Sequence, residues 1–206
     1  DNVSKIDIIG LTFFENGFRH VTNSVKPVMV PEDLKGLTIR TMQNKIHMAS
    51  FETIGAKPKA LPFGELYSSL KLKSFDAQEN PIPIIYNSKF YEVQKYCSLT
   101  GHFYSPTPMF INKNLWNKLT DQQKEIFRLA AKEARDYQRT LIDQQSAQYV
   151  DKLKEKGMQV DEVDKAIWLQ AMEPVYQKYE NEVGLEVLKE VRAEIAKGSQ
   201  DQAPLQ

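Results

Sequence analysis

The stretch "LTIRTMQNKIHMASFETIGAKPKALPF", Leu37 to Phe63, decides how the rest of the chain is read. Leu37–Thr41 is β-rich and ends on arginine and threonine. Asn44 is a residue type that caps helices, and the pattern behind it predicts a helix through Ile54 with Gly55 as its stop. A short second strand, "PKALPF", follows. Strand, capped helix and strand in close succession form the repeating unit of an α/β layer structure.

Working outward, the same alternation continues. Upstream, "IDIIGLTFF" (Ile6–Phe14) is β-rich, and "GFRHVTNS" sets Phe18, His20 and Thr22 against Arg19, Val21 and Asn23, the period of a strand. "PEDLKG" (Pro31–Gly36) predicts a turn or one helical turn closed by glycine. Downstream come a helix from about Gly64 to Lys73, the polar run "FDAQENP" read as a loop, and a helix over about Ile84–Tyr96. A strand-rich "CSLTGHFYSPTPMFIN" completes this half.

The second half differs. "TDQQ" at Thr120–Gln123 is a capping box, and no proline or glycine follows until Gly157. Apolar or small residues recur at near-helical period from Ile126 to Leu153, which predicts a helix of about 54 Å. A coiled coil is one reading, although Gln144, Gln145 and Gln148 interrupt its seam. A spine shared by two lobes is the other. Helices near Asp164–Tyr179 and Leu185–Lys197 and a disordered tail from Gly198 are expected to end the chain.

Composition narrows the function. In 206 residues, 27 basic side chains balance 27 acidic ones, so no overall field draws the chain to nucleic acid or to an anionic membrane. No apolar run is long enough to cross a bilayer. Asp1 opens no basic-then-apolar leader, so any export signal is expected to have been removed. The lone Cys97 permits no internal disulfide and no CxxC site. His20, His47 and His102 have no metal-ligand spacing, so neither a metal nor a cofactor is expected.

Two arginines stand out chemically. Arg40 ends a strand directly before a helix, where α/β folds bind ligands, and Arg19 lies in the earlier strand. Each offers a planar fork of donors that matches a carboxylate. Two surface arginines in rim salt bridges are the plainer reading. Asp76 and Glu79 suggest paired-carboxylate catalysis, but no second reactive group accompanies them, and they read as structural. An enzyme using either as a base and a helical interaction protein built on Thr120–Lys156 both stay open at this point.

Several motifs, in order, carry a resemblance: "KGLTIR", "GAKPKALPFGELYSSL", "FDAQENP" and "KFYEVQKYCSLTGH". Together they resemble the DctP-type solute-binding proteins of TRAP transporters, densely over about Gly17–Gly157. That likeness implies a periplasmic-binding-protein-like α/β lobe, with a mixed sheet flanked by helices and a long spine helix bridging two lobes. The implied role is capture of a small carboxylate in the periplasm for the membrane subunits of a sodium-coupled transporter, without catalysis. A C4-dicarboxylate is the first expectation for the ligand, and a sugar acid the alternative.

Residue by residue, the resemblance implies that Arg40 anchors the carboxylate and Arg19 makes a second contact. Asn80 of "QENP" reaches the ligand, Phe63 lines the cleft, and Gln43 adds a polar contact. Ala77 stands where relatives commonly have glycine, and "LKLKS" replaces a glycine-containing turn. Proline follows Asn80 where the keto-acid-binding branch has tryptophan, so that branch's metal-assisted site is not expected. The implied segments are a crossing strand and first-lobe remnant (1–16), a second binding lobe (17–119), an inter-lobe helix (120–157), C-terminal helices (158–197) and the tail (198–206). Most of one jaw is expected to be absent. Strand Ile6–Phe14 and the stripe of Thr120–Lys156 should then lack partners. The chain is expected either to self-associate through these surfaces or to be the ordered part of a longer protein.

Overall fold

One long strand organises the molecule. β1 runs without a break over Ile8–Asn23 and pairs antiparallel along its length with β5, Tyr96–Asn112. The computed structural model describes residues 7–200. Between these two strands the chain forms β2 (Thr38–Thr41), α1 (Lys45–Thr53), β3 (Lys57–Ala60), α2 (Leu66–Lys71), β4 (Ala77–Pro81) and α3 (Ile82–Asn87). After β5 come α4 (Lys113–Lys118), α5 (Asp121–Glu155), β6 (Gln159–Asp161), α6 (Lys165–Ala171), α7 (Glu173–Val183) and α8 (Leu185–Gln200). The sheet order is β3-β2-β4-β1-β5-β6, parallel on the flanks and antiparallel where β1 meets β4 and β5.

Local signals account for most element ends. The Asn44 side chain accepts from the amides of Ile46 and His47, satisfying two of the unpaired donors at the start of α1. Gly55 then takes φ 78°, a left-handed turn that costs glycine little. Thr120 and Gln123 form the reciprocal capping box that launches the 35-residue α5.

Four expectations need correction. "AQENP" is a strand, β4, with all five residues buried in the middle of the sheet. The helix expected over Ile84–Tyr96 stops at Asn87, because Lys89 sits at φ 56° and redirects the chain. The residues after α5 include a strand, β6, and α8 continues through Gln200, past the expected start of the tail at Gly198; residues 201–206 lie outside the described part. Finally, β1 does not lack a strand partner, since Ile8–Glu15 is bonded to Pro106–Asn112; Ile6 lies outside the described residues.

The sheet buries both faces. On one, Val21, Ile39 and Ala77 pack with Phe51 of α1 and Trp168 of α6. On the other, Cys97 packs with Leu66, Leu70, Ile82, Ile85 and Leu153 from α2, α3 and the end of α5. The thiol of Cys97 is pushed up to about 12 by burial and by Asp161, so it is an inert core group.

α5 divides into two halves. Its second half closes the core at Leu153, while its first half rides on the β1–β5 ribbon. There the Gln138 amide accepts from the Glu15 N–H (3.0 Å) and donates to the Glu15 carbonyl (2.6 Å), beside a β-bulge at Glu15/Gly17. That half leaves Ile126, Phe127 and Leu129 exposed, as the ribbon does Phe13 and Phe110. This contrast is measurable. Leu153→Ala should cost about 2–5 kcal/mol in a denaturant titration, as a core truncation does. Leu129→Ala, at a side chain half exposed, should stay within about 0.5 kcal/mol. Similar losses at both positions would mean that the first half of α5 is packed against something.

Candidate functional site

The sheet brings the five sequence-derived residues to one edge, four of them through parallel strands and Arg19 through antiparallel β1. β2, β3 and β4 all end there, with Arg40 next to last in β2 and Asn80 next to last in β4. Gln43 lies just past β2 in an exposed bend, and Phe63 just past β3, half exposed and edge-on to Phe90 at 6.2 Å. β1 runs the other way, so Arg19 in its middle faces Pro81 across the ladder. The carboxyl edge of parallel strands is where α/β sheets hold ligands.

The two arginines are both buried, and their environments differ sharply. Arg19 donates from Nε to Glu79 Oε2 (2.5 Å), and from Nη2 to Glu79 Oε1 (2.9 Å), to the Glu79 carbonyl (2.7 Å) and to Asn80 Oδ1 (3.0 Å). Among the described residues only its Nη1 has no protein acceptor. Arg40 meets no carboxylate at bonding distance among the described residues. Its Nε and Nη2 both donate to the Leu61 carbonyl, at 2.8 and 2.6 Å, and its Nη1 is likewise without an acceptor. Burial lowers the Arg40 pKa, with nearby Glu79 opposing the shift and Arg19 adding to it. Arg40 is thus a held cation with a free prong.

Glu79 is fully buried. Burial alone would raise its pKa, but hydrogen bonds from His102 and Arg19 outweigh that and hold it below the ordinary 4.5. His102 reaches Glu79 Oε2 at 3.3 Å through Nε2, while its Nδ1 lies 2.6 Å from Thr100 Oγ1. The Asn80 amide is oriented from both ends: Oδ1 accepts from Arg19, and Nδ2 donates to Gln78 Oε1 at 2.6 Å. Gln78 in turn donates to Thr22 Oγ1, which donates to Gln94 Oε1. A polar strand can therefore sit at the centre of this sheet because nearly every group has a partner.

Sequence reading missed the histidines. His102 is tied into the network, and His47 stacks on Phe103 at 4.0 Å with its Nδ1 buried and unpartnered. The signal was present in "TGH", two residues from Thr100, but nothing in the spacing linked it to Glu79.

A family model described as "Bacterial extracellular solute-binding protein, family 7" (DctP) matches residues 1–182. The 2,3-diketo-L-gulonate-binding periplasmic protein YiaO of Escherichia coli K12 is 43% identical over 150 residues, covering 73% of this chain and 46% of that protein. Among solved structures, a TRAP periplasmic solute-binding protein from Polaromonas sp. JS666 bound to D-erythronate superposes with a TM-score of 0.87 at 41% identity, over 93% of this chain and 63% of that one. One from Sulfurospirillum deleyianum with bound succinate gives 0.85 at 31% identity, over 94% and 65%. The chain spans about half the length of the curated relatives it matches.

Acid should unfold this site by a calculable route. His20, whose Nδ1 accepts from the Gly101 amide, is pushed from 6.5 down to about 3 by burial, His102 and Lys165. The folded state keeps it neutral while the unfolded chain takes a proton, so its share of stability is lost as pH falls from about 6.5 to about 3. Glu79 acts at lower pH and with the same sign: its contribution is present above 4.5 and lost as pH falls through its lowered folded value. Denaturant midpoints measured across pH should decline accordingly, and His20→Gln should flatten the upper part of the decline. An unchanged profile in that variant would remove His20 from the account.

Proposed function

We propose that this chain, which belongs to family 7 of the bacterial extracellular solute-binding proteins, holds the carboxylate of a hydroxylated monocarboxylic acid of the sugar-acid class on Arg40. It would act in the periplasm and hand its ligand to the membrane subunits of a TRAP transporter. The observation that carries the ligand class is the pairing of Arg19 with Glu79. One buried positive charge is already neutralised, so among the described residues the edge offers a single buried, uncompensated cation, Arg40, with Lys59 beside it exposed to solvent. A monoanion balances it. A dianion would bring a second charge into a buried place with no free counter-charge, which is expensive.

In this reading Arg19 acts by position. It fixes Asn80, whose remaining amide N–H is available to a ligand oxygen, and it keeps one nitrogen, Nη1, for a neutral acceptor such as a hydroxyl. Exposed Phe63 supplies an apolar wall and Gln43 a further polar group. The cited relatives point the same way: the two above 40% identity are named for, or bound to, hydroxylated acids, and the succinate-bound one stands at 31%. A catalytic reading is disfavoured by the same geometry. Glu79 is held ionised below its ordinary range, which makes it a weak base near neutral pH, and Asp76 accepts from the Thr38 amide at 2.8 Å.

Titration calorimetry with D-erythronate and with succinate tests the ligand class. The account expects erythronate to bind about tenfold more tightly or better, a difference of about 1.4 kcal/mol. Arg40→Lys should weaken erythronate at least about tenfold, because an ammonium cannot keep the carbonyl of Leu61 and also present a planar prong. Tighter binding of succinate, or a lysine variant as good as the parent, would refute the assignment.

A further inference from the structure

At the opposite end of the sheet from the site, the starts of β4, β5 and β6 and the end of β1 form a pole with its own chemistry. The five residues of β4 separate the two ends by roughly 17 Å. The end of α2 and the start of the loop to β4 read Lys71-Leu72-Lys73. Leu72 is 77% exposed, and Lys73 stands at φ 57°. Lysine in the left-handed region is disfavoured relative to glycine, so this backbone is held there against its intrinsic preference.

Lys71 and Lys73 line an open pocket of about 390 Å³, together with Lys95 and Tyr91. Lys156 lies over the Tyr91 ring at 6.0 Å. All four lysines are exposed, and among the described residues none has a carboxylate within salt-bridge distance. The one acid in the pocket lining, Glu92, accepts a hydrogen bond from the Tyr67 hydroxyl at 2.5 Å. On a chain of zero formal net charge, a positive pole of this kind is a local feature.

We infer that this pole docks on an anionic phospholipid surface, with Leu72 entering the interface and Lys71, Lys73, Lys95 and Lys156 meeting lipid phosphates. Three observations favour lipid over an acidic protein. The apolar tip is flanked on both sides by ammonium groups, which suits an apolar layer beneath an anionic one. The pocket behind it is open, wide enough for a headgroup and lined by lysines that act as point charges. The tyrosine beside it has the amphipathic character found at membrane interfaces.

Vesicle sedimentation of the full chain tests this. Phosphatidylcholine vesicles containing phosphatidylglycerol should retain the chain at low salt, and pure phosphatidylcholine vesicles should not. Added salt should release it. Each lysine changed to glutamine should cost roughly fivefold in partition, and Leu72→Ser should lower it further without moving the denaturation midpoint. Lys73→Gly is the sharpest variant. It should raise the denaturation midpoint, because glycine suits the backbone there, and weaken vesicle binding at the same time. Equal retention on both vesicle types would overturn the proposal, as would a Lys73→Gly chain that binds as before. Displacement by free inorganic phosphate at matched ionic strength would assign the pocket to a soluble anion. Retention by an acidic polypeptide but not by vesicles would assign it to a protein. Either result would refute the lipid reading.

Discussion

A carboxylate in the middle of a sheet, away from water, is costly unless its charge is met at once. Glu79 is in that position, and Arg19 meets it with two side-chain hydrogen bonds and a third to its own backbone carbonyl. Much of the architecture follows from that pairing. It joins β1 to β4, so the long antiparallel strand is attached to the parallel half of the sheet by an ion pair as well as by the ladder. It also orients Asn80, whose amide would otherwise rotate, and through Gln78 it extends to Thr22 and Gln94 on the sheet's other side. His102 adds a second donor from β5, so three neighbouring strands share one charge.

The same pairing separates the roles of two arginines that look alike in sequence. Arg40 is held by a carbonyl oxygen, which fixes its direction and leaves its charge intact. Arg19 is held by a carboxylate, which cancels its charge and leaves it a positioned hydrogen-bond donor. On the proposed reading, one buried net cation and several oriented neutral groups would match a molecule with one acid function and several hydroxyls. Binding-site selectivity of this kind comes from where counter-charges already are, as much as from which side chains face the ligand.

Much of this was legible in the sequence, and the rest failed for physical reasons. Asn44, Gly55 and the Thr120–Gln123 box marked their helices because capping chemistry is local. The alternation in "GFRHVTNS" marked a strand, and Gly17–Asn23 lies within β1. "AQENP" was read as a loop because its polar residues are satisfied by partners far away in the chain, Arg19 and Thr22 among them, and no local pattern reveals that. The break after α3 was hidden for a similar reason: Lys89 adopts a conformation usually marked by glycine or asparagine. The resemblance brought Arg19, Arg40, Asn80, Phe63 and Gln43 to notice, and the sheet topology gathers them at one edge. The difference between the two arginines needed the partner of each, which only the folded arrangement supplies.

Glu79 is ionised and committed to Arg19 inside the fold. Carbon-detected NMR of the glutamate side-chain carboxyl groups, followed through an acid titration of the folded chain, measures this directly. The account predicts that the Glu79 resonance stays at its ionised shift until the pH is well below 4.5. A Glu79 carboxyl that protonates at or above that value would show that burial dominates over its partners, and would return Arg19 to the ligand as a full second cation.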